Sequence, residues 1–115
     1  MKKIEAIIKP YKIEEIKNSL AEIGIHGMTI TYAEGFGSQG GHTENYRAAE
    51  IAVSFLPKIK IEIAADDKKV KEIIDVIIKH AKTGENGEIG DGKIFIYNIE
   101  NAIRIRTGEE GSAAL

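Results

Sequence analysis

The chain has 115 residues, 43% of them hydrophobic and 30% charged, with a formal net charge of −2 and no cysteine. This length fits one compact domain, and the 22 isoleucines spread along it exclude disorder by supplying ample material for a core. Without cysteine there are no disulfides, no thiolate catalysis and no thiolate–metal sites, and the slight acidity opposes a dedicated nucleic-acid binder, which carries a basic excess.

No run approaches the ~20 apolar residues of a membrane helix. Met1-Lys2-Lys3 opens like a signal peptide, but Glu5 and Lys9 interrupt the apolar run, so a cytoplasmic protein without a targeting segment is expected. Lys3–Lys9 alternates, with Ile4, Ala6 and Ile8 on one side and Glu5 and Ile7 on the other, which predicts a strand ended by Pro10. Ile13, Ile16, Leu20 and Ile23 recur at helical spacing and predict an amphipathic helix closed by Gly24. Met28–Glu34, with Thr29, Ile30, Thr31 and Tyr32, reads as a second strand. Lys58–Ala64 reads as a third, with Ile59, Ile61 and Ile63 inward and Lys58, Lys60 and Glu62 outward. Asp66 or Asp67 is placed to cap a helix whose stripe is Val70, Ile73, Ile74, Ile77, Ile78 and Ala81. Lys93–Asn98 predicts a fourth strand and Ala102–Thr107 a shorter fifth.

The order is βαβ-βαβ plus a small C-terminal strand. It predicts an α+β, ferredoxin-like double βαβ fold, a single domain over 1–115, with both helices on one face of a four-stranded sheet. The other face is expected to be apolar and to need a cover, which threefold packing of subunits would supply.

Two segments break this pattern. Gly35–Phe55 holds Gly35, Gly37, Gly40 and Gly41, and Gly84–Gly92 holds Gly84, Gly87, Gly90 and Gly92. A loop approaching twenty residues in so small a domain is generally functional or disordered. Gly87 to Lys93 spells G-x-x-x-x-G-K, yet Ile94 follows where a P-loop has Ser or Thr, and the segment runs from helix to strand, the reverse of the P-loop order. Its glycines can still converge backbone N–H groups on an anion, with Lys93 adding charge. Arg104 and Arg106, two apart, would share one face of a strand and suit a polyphosphate, or else mark a solvated edge. Lys58 can clamp a carboxylate or simply be solvated; Gln39 can offer an amide oxygen to a metal; Glu62 can accept from a ribose hydroxyl or keep the sheet soluble. His26, His42 and His80 share no ligand spacing, and neither paired carboxylates nor a Ser/His/Asp arrangement stands out. With no nucleophile or general base nominated, a non-enzyme is expected. Two other readings are an RNA-binding module, since βαββαβ is also the RRM topology and Phe95 and Tyr97 faintly echo its aromatic strand, and a small ferredoxin-like phosphohydrolase, opposed by the missing catalytic groups.

Several stretches resemble the PII nitrogen-regulatory signal proteins. They are Lys2 to Pro10, Gly27-Met28-Thr29, Gly35-Phe36-Gly37, Gly41 to Glu44, Phe55 to Ile63, Ile89 to Phe95 and Ile103 to Glu109. The resemblance covers nearly the whole chain and looks closest to the branch that pairs with ammonium transporters. It implies a homotrimer whose intersubunit clefts hold ATP or ADP, with 2-oxoglutarate joining Mg-ATP at the base of a T-loop (about 36–55). A B-loop (about 83–93) and a C-loop (about 102–115) complete the family's parts. Carried over by motif, the nucleotide would meet Ile7, Thr29, Gly35, Gly37, Ser38, Gln39, Glu62, Ala64, Gly90, Asp91, Gly92, Lys93, Arg104 and Arg106. Gln39 would ligate Mg²⁺, and 2-oxoglutarate would meet Gln39, Gly41, Lys58 and Gly90. Tyr46 and Arg47 would face a partner: an ammonium transporter at the cytoplasmic membrane face, with glutamine synthetase as a further candidate, and no nucleic acid.

The chain departs from the family pattern at several points. Ile51 stands where many members carry the uridylylated tyrosine, so that modification is excluded, and Ala49 replaces a serine that some members phosphorylate. Ser38 and Glu88 stand where basic residues are common and remove positive charge near the phosphates. The B-loop is about three residues longer than usual around Glu85-Asn86-Gly87.

Overall fold

A computed structural model describes residues 1–37 and 55–115. Strand β1 spans Lys2–Ile8, α1 Ile13–Glu22, β2 Thr29–Gly35, β3 Leu56–Ala65, α2 Asp67–Ala81 and β4 Gly92–Asn98. The sheet order is β2-β3-β1-β4, with every neighbouring pair antiparallel. This is the ferredoxin-like arrangement that the alternation of β and α patterns predicts.

Period-two alternation sorts the strands. Ile4, Ala6 and Ile8 of β1 and Ile59, Ile61 and Ile63 of β3 are buried beneath the helices. Ile16 and Leu20 of α1 and Ile73, Ile77 and Ala81 of α2 complete that core. A short 3-10 turn, Pro10–Lys12, leads from β1 into α1, where proline's missing N–H is no loss. Gly24, at φ +88°, lets the chain leave α1 in the left-handed conformation.

Five expectations are corrected. Asp66 sits at the N-cap position of α2, but its side chain does not cap the helix; Oδ1 instead accepts from Ser112 Oγ at 2.8 Å. Ala102–Thr107 is not a strand. Only one bridge, Ile103 to Glu110, forms there, because the chain folds back on itself: Gly108 N donates to Arg104 O at 2.7 Å and Arg104 N to Glu109 O at 2.8 Å. Arg104 and Arg106 therefore sit on a turn and share no strand face. The face of the sheet away from the helices is not apolar. The register puts Lys3, Glu5 and Ile7 of β1, Lys60 and Glu62 of β3, and Lys93, Phe95 and Tyr97 of β4 there. Alternation that buries isoleucine on one side necessarily sends the interleaved charges to the other. Lys58 shares that face yet is not an outward, solvated residue; it is only 8% exposed.

Candidate functional site

The residues expected to bind ligand divide between the two ends of the open face. At one end β1 finishes, β3 begins and β4 begins. Ile7 lies opposite Lys60 on one side and Lys93 on the other, and Gly35 lies opposite Leu56. Gly92 belongs here by steric necessity. A Cβ at this position would lie 1.8 Å from the carbonyl oxygen of Ile7, and the backbone is at φ +119°. Only glycine lets the loop entering β4 come so close to β1.

Lys58 projects into the same end. Its Nζ donates to the carbonyl of Gly90 at 2.9 Å, tying the start of β3 to the loop between α2 and β4. Burial, together with the neighbouring charge of Lys9, lowers its pKa from the ordinary lysine value. An ammonium has three donor hydrogens, and Gly90 O is its hydrogen-bond acceptor among the described residues. Gly35 packs on the aliphatic stem of Lys58, where an added Cβ would be 3.2 Å from Cγ.

The 82–91 loop is shaped by Asp91. Its carboxylate accepts from Thr83 N at 2.9 Å, Thr83 Oγ1 at 2.6 Å and Glu88 N at 2.8 Å, and pairs with Lys9 at 3.2 Å. Burial alone would raise the carboxyl's pKa, but these donors outweigh it and hold the pKa far below the usual carboxylate range. Asp91, expected among the nucleotide ligands, is thus turned into its own loop. Lys9 also meets Glu88 at 3.1 Å. Its pKa is pulled down by burial and raised on balance by hydrogen bonds to Glu88 and Asp91.

At the other end, β2 begins opposite the second half of β3. Thr29 is paired with Glu62, and Ala64 lies opposite Lys3. Lys3 Nζ reaches Glu62 at 3.1 Å and stands 4.9 Å from the Tyr97 ring centre. Phe95 and Tyr97 are exposed on this face rather than buried in the core, but Glu5 and Glu62 beside them oppose a nucleic-acid platform. The C-terminal turn is tethered to this end through Ser112 and Asp66. Arg104 pairs with Glu109 and donates to the Leu115 carbonyl at 3.3 Å; Arg106 makes no ion pair among the described residues. Lys93 and Arg104 are consequently separated by the length of β4, roughly 15–20 Å. The expectations for Ser38, Gln39, Gly41, Tyr46, Arg47, Ala49 and Ile51 concern residues outside the described ones. Gly37 is described and exposed. Beside it the rings of Phe36 and Phe55 pair with centroids 5.7 Å apart, closing the root of the 36–55 segment.

Two features escape the sequence patterns. A cavity of about 710 Å³ opens on the helix side of β4, lined by Ile74, Ile78, Ile94, Ile96 and Gly87. It is mainly apolar and shares only Ile7, Asp91, Gly92 and Lys93 with the residues expected to bind nucleotide. His80 joins Ser19 Oγ at 3.0 Å to Glu15 Oε2 at 2.7 Å, bridging α2 to α1. This has the connectivity of a serine–histidine–carboxylate triad. Ser19 lies within a helix whose N–H groups around it are spent on i→i−4 bonds, so the backbone of α1 offers it no oxyanion donor. The contact is read as an interhelical brace. No sequence spacing signals it, because it depends on how α1 packs on α2.

A family model for Nitrogen regulatory protein P-II matches residues 1–109. The chain is 57% identical to a Nitrogen regulatory protein P-II of Haemophilus influenzae and 59% identical to one of Rhodospirillum rubrum, each over the full length of both chains. It is 56% identical to Nitrogen regulatory protein P-II 1 of Escherichia coli, again over the full length of both. The described helices contain none long and apolar enough to cross a membrane. Matched from end to end at this identity, the chain belongs to the P-II family of nitrogen regulatory proteins.

Proposed function

We propose that this P-II protein is a homotrimeric sensor that binds ATP or ADP in clefts between subunits. It admits 2-oxoglutarate beside Mg-ATP and controls a partner, an ammonium transporter, through the 36–55 segment. The observation that carries this reading is the division of the site. Gly90, Gly92, Lys93 and Lys58 lie at one end of the sheet, while Thr29, Glu62, Ala64 and the C-terminal arginines lie at the other. One triphosphate cannot span both ends of a single subunit, whereas a neighbour packed head-to-tail brings the second half to the first. Adenine and ribose would then meet Thr29, Glu62 and Ala64 of one subunit, and the phosphates Gly90, Gly92 and Lys93 of the next.

Buried Lys58 supports the effector half of the proposal. A dicarboxylate would supply the anion that its lowered pKa calls for, at the cost of its bond to Gly90. Among the described residues no three His, Asp or Glu side chains converge. That suits Mg²⁺ carried by phosphate and carboxylate oxygens with few protein ligands, Gln39 among them. Binding of the two ligands is therefore coupled, typically by about 1–3 kcal/mol, and reciprocally.

Calorimetry tests the reading. ATP should bind, and 2-oxoglutarate should bind measurably only with Mg-ATP present. Equal 2-oxoglutarate binding with ADP or with no nucleotide would contradict it. For the partner, Tyr46 and Arg47 are residue types enriched at binding hot spots. The parent protein should retain the cognate transporter in a pull-down with ADP and release it with Mg-ATP plus 2-oxoglutarate, and Arg47→Ala should weaken retention. Ile51 leaves effectors, rather than uridylylation, as the release signal.

A further inference from the structure

The C-terminal turn presents Arg104 with an anion of its own. Glu109 Oε1 pairs with the Arg104 guanidinium and also accepts from Thr107 Oγ1 at 2.9 Å. The backbone enforces this pairing. Arg104 N donates to Glu109 O at 2.8 Å and Gly108 N to Arg104 O at 2.7 Å, while Glu109 N donates back to Thr107 Oγ1 at 3.2 Å. The next residue, Glu110, bridges to Ile103, and its Oε1 accepts from Asn101 Nδ2 at 2.8 Å. The segment thus closes from both sides, and closure sets the Glu109 carboxylate against Arg104. Arg106, two residues along, has no such partner among the described residues.

We propose that Glu109 is an internal stand-in for phosphate, and that it determines which nucleotides the C-terminal turn accepts. It rests on the reading of Arg104 as a phosphate ligand given above. A guanidinium binds a carboxylate and a phosphate through the same planar set of donors. A phosphate group that claims Arg104 must therefore displace Glu109 before it gains anything. A nucleotide whose phosphates do not reach Arg104 leaves the pair intact and bears no cost. Glu109 thereby lowers affinity only for ligands that engage Arg104, which separates it from a carboxylate that merely repels anions.

The experiment is a double-mutant cycle on the full chain, with ATP binding measured by calorimetry for the parent, Glu109→Gln, Arg104→Ala and the double variant. Glutamine keeps the acceptor for Thr107 and leaves every backbone bond of the turn available, and thermal unfolding of each variant checks that it folds. Arg104→Ala should weaken ATP tenfold or more, as loss of a charge-assisted bond does. Glu109→Gln should tighten ATP by about two- to fivefold, the worth of a partly exposed ion pair, and this gain should vanish in the Arg104→Ala background. The same gain in both backgrounds would show bulk electrostatics and overturn the proposal, as would no gain in a parent that Arg104→Ala weakens. A parent that binds no ATP, or binds it indifferently to Arg104→Ala, would instead sink the underlying reading of the arginine, and the proposal with it.

Discussion

A lysine buried under a loop burdens the fold that holds it, and Lys58 is such a residue. Its lowered pKa means that the charged form is disfavoured where it stands. Lys58→Met keeps the aliphatic stem that packs on Gly35 and removes the desolvated charge. It should therefore stabilise the protein, by about 1 kcal/mol, while abolishing the 2-oxoglutarate response. Urea unfolding and calorimetry on the same variant check both halves, and a destabilised variant would show that the Gly90 bond outweighs the burial. Gly92→Ala should act in the opposite sense. A methyl group 1.8 Å from a backbone oxygen cannot be relieved by a side-chain rotation. We expect a loss of about 3 kcal/mol or more from sterics and the positive φ together. An unfolding midpoint within error of the parent's would mean that β1 and the loop move apart freely.

Among the elements, the 82–91 loop depends on one carboxylate. Asp91 has a folded pKa depressed below its unfolded value of about 3.8. Its contribution to stability is thus fully present above that unfolded value and is lost as pH falls through the folded one. Asp91→Asn should lower stability at neutral pH and flatten the acid limb of the stability profile. Chemical denaturation between pH 7 and pH 2 checks this, and parallel acid limbs in variant and parent would show that the Asp91 carboxylate does not stabilise the loop. The paired strands and helices were legible because each rests on a period within its own residues, such as Ile4, Ala6 and Ile8, or Ile73 and Ile77. The fifth strand misled. Ile103 and Ile105 alternate correctly, but Gly108 and Gly111, both at positive φ, turn the chain back before a ladder can form. Lys58 looked solvated because its cover, Gly90, lies 32 residues further along the chain. The glycine-rich loops and paired arginines suggested anion chemistry as an expectation, whereas the engagement of Asp91, Glu62 and Glu109 by neighbouring side chains depended on tertiary contacts.

At the scale of the whole molecule, the proposed site, divided between the ends of one sheet, predicts assembly. Light scattering at micromolar concentration should report a trimer, and a monomer would remove the shared cleft. A sharper test mixes two weakened proteins, Lys93→Ala and Arg104→Ala, under conditions that exchange subunits. In a head-to-tail ring each mixed trimer regains one cleft with both residues intact. A class of sites with the parent's affinity for ATP should therefore reappear on mixing. Its continued absence from verified mixed trimers would mean that each cleft draws both residues from one chain.

The charged face of the sheet bears on the order of events after synthesis. A lone subunit that displayed broad isoleucine there would be prone to indiscriminate association before its proper neighbours arrived. Here Lys3 and Glu62 neutralise one another on that surface, while the isoleucine core is closed off beneath α1 and α2. Folding of the single chain is therefore expected to be first-order, and refolding rates should not change with protein concentration. Assembly of the proposed trimer would then be a separate, concentration-dependent step, and one sensitive to ionic strength through the charges on that face.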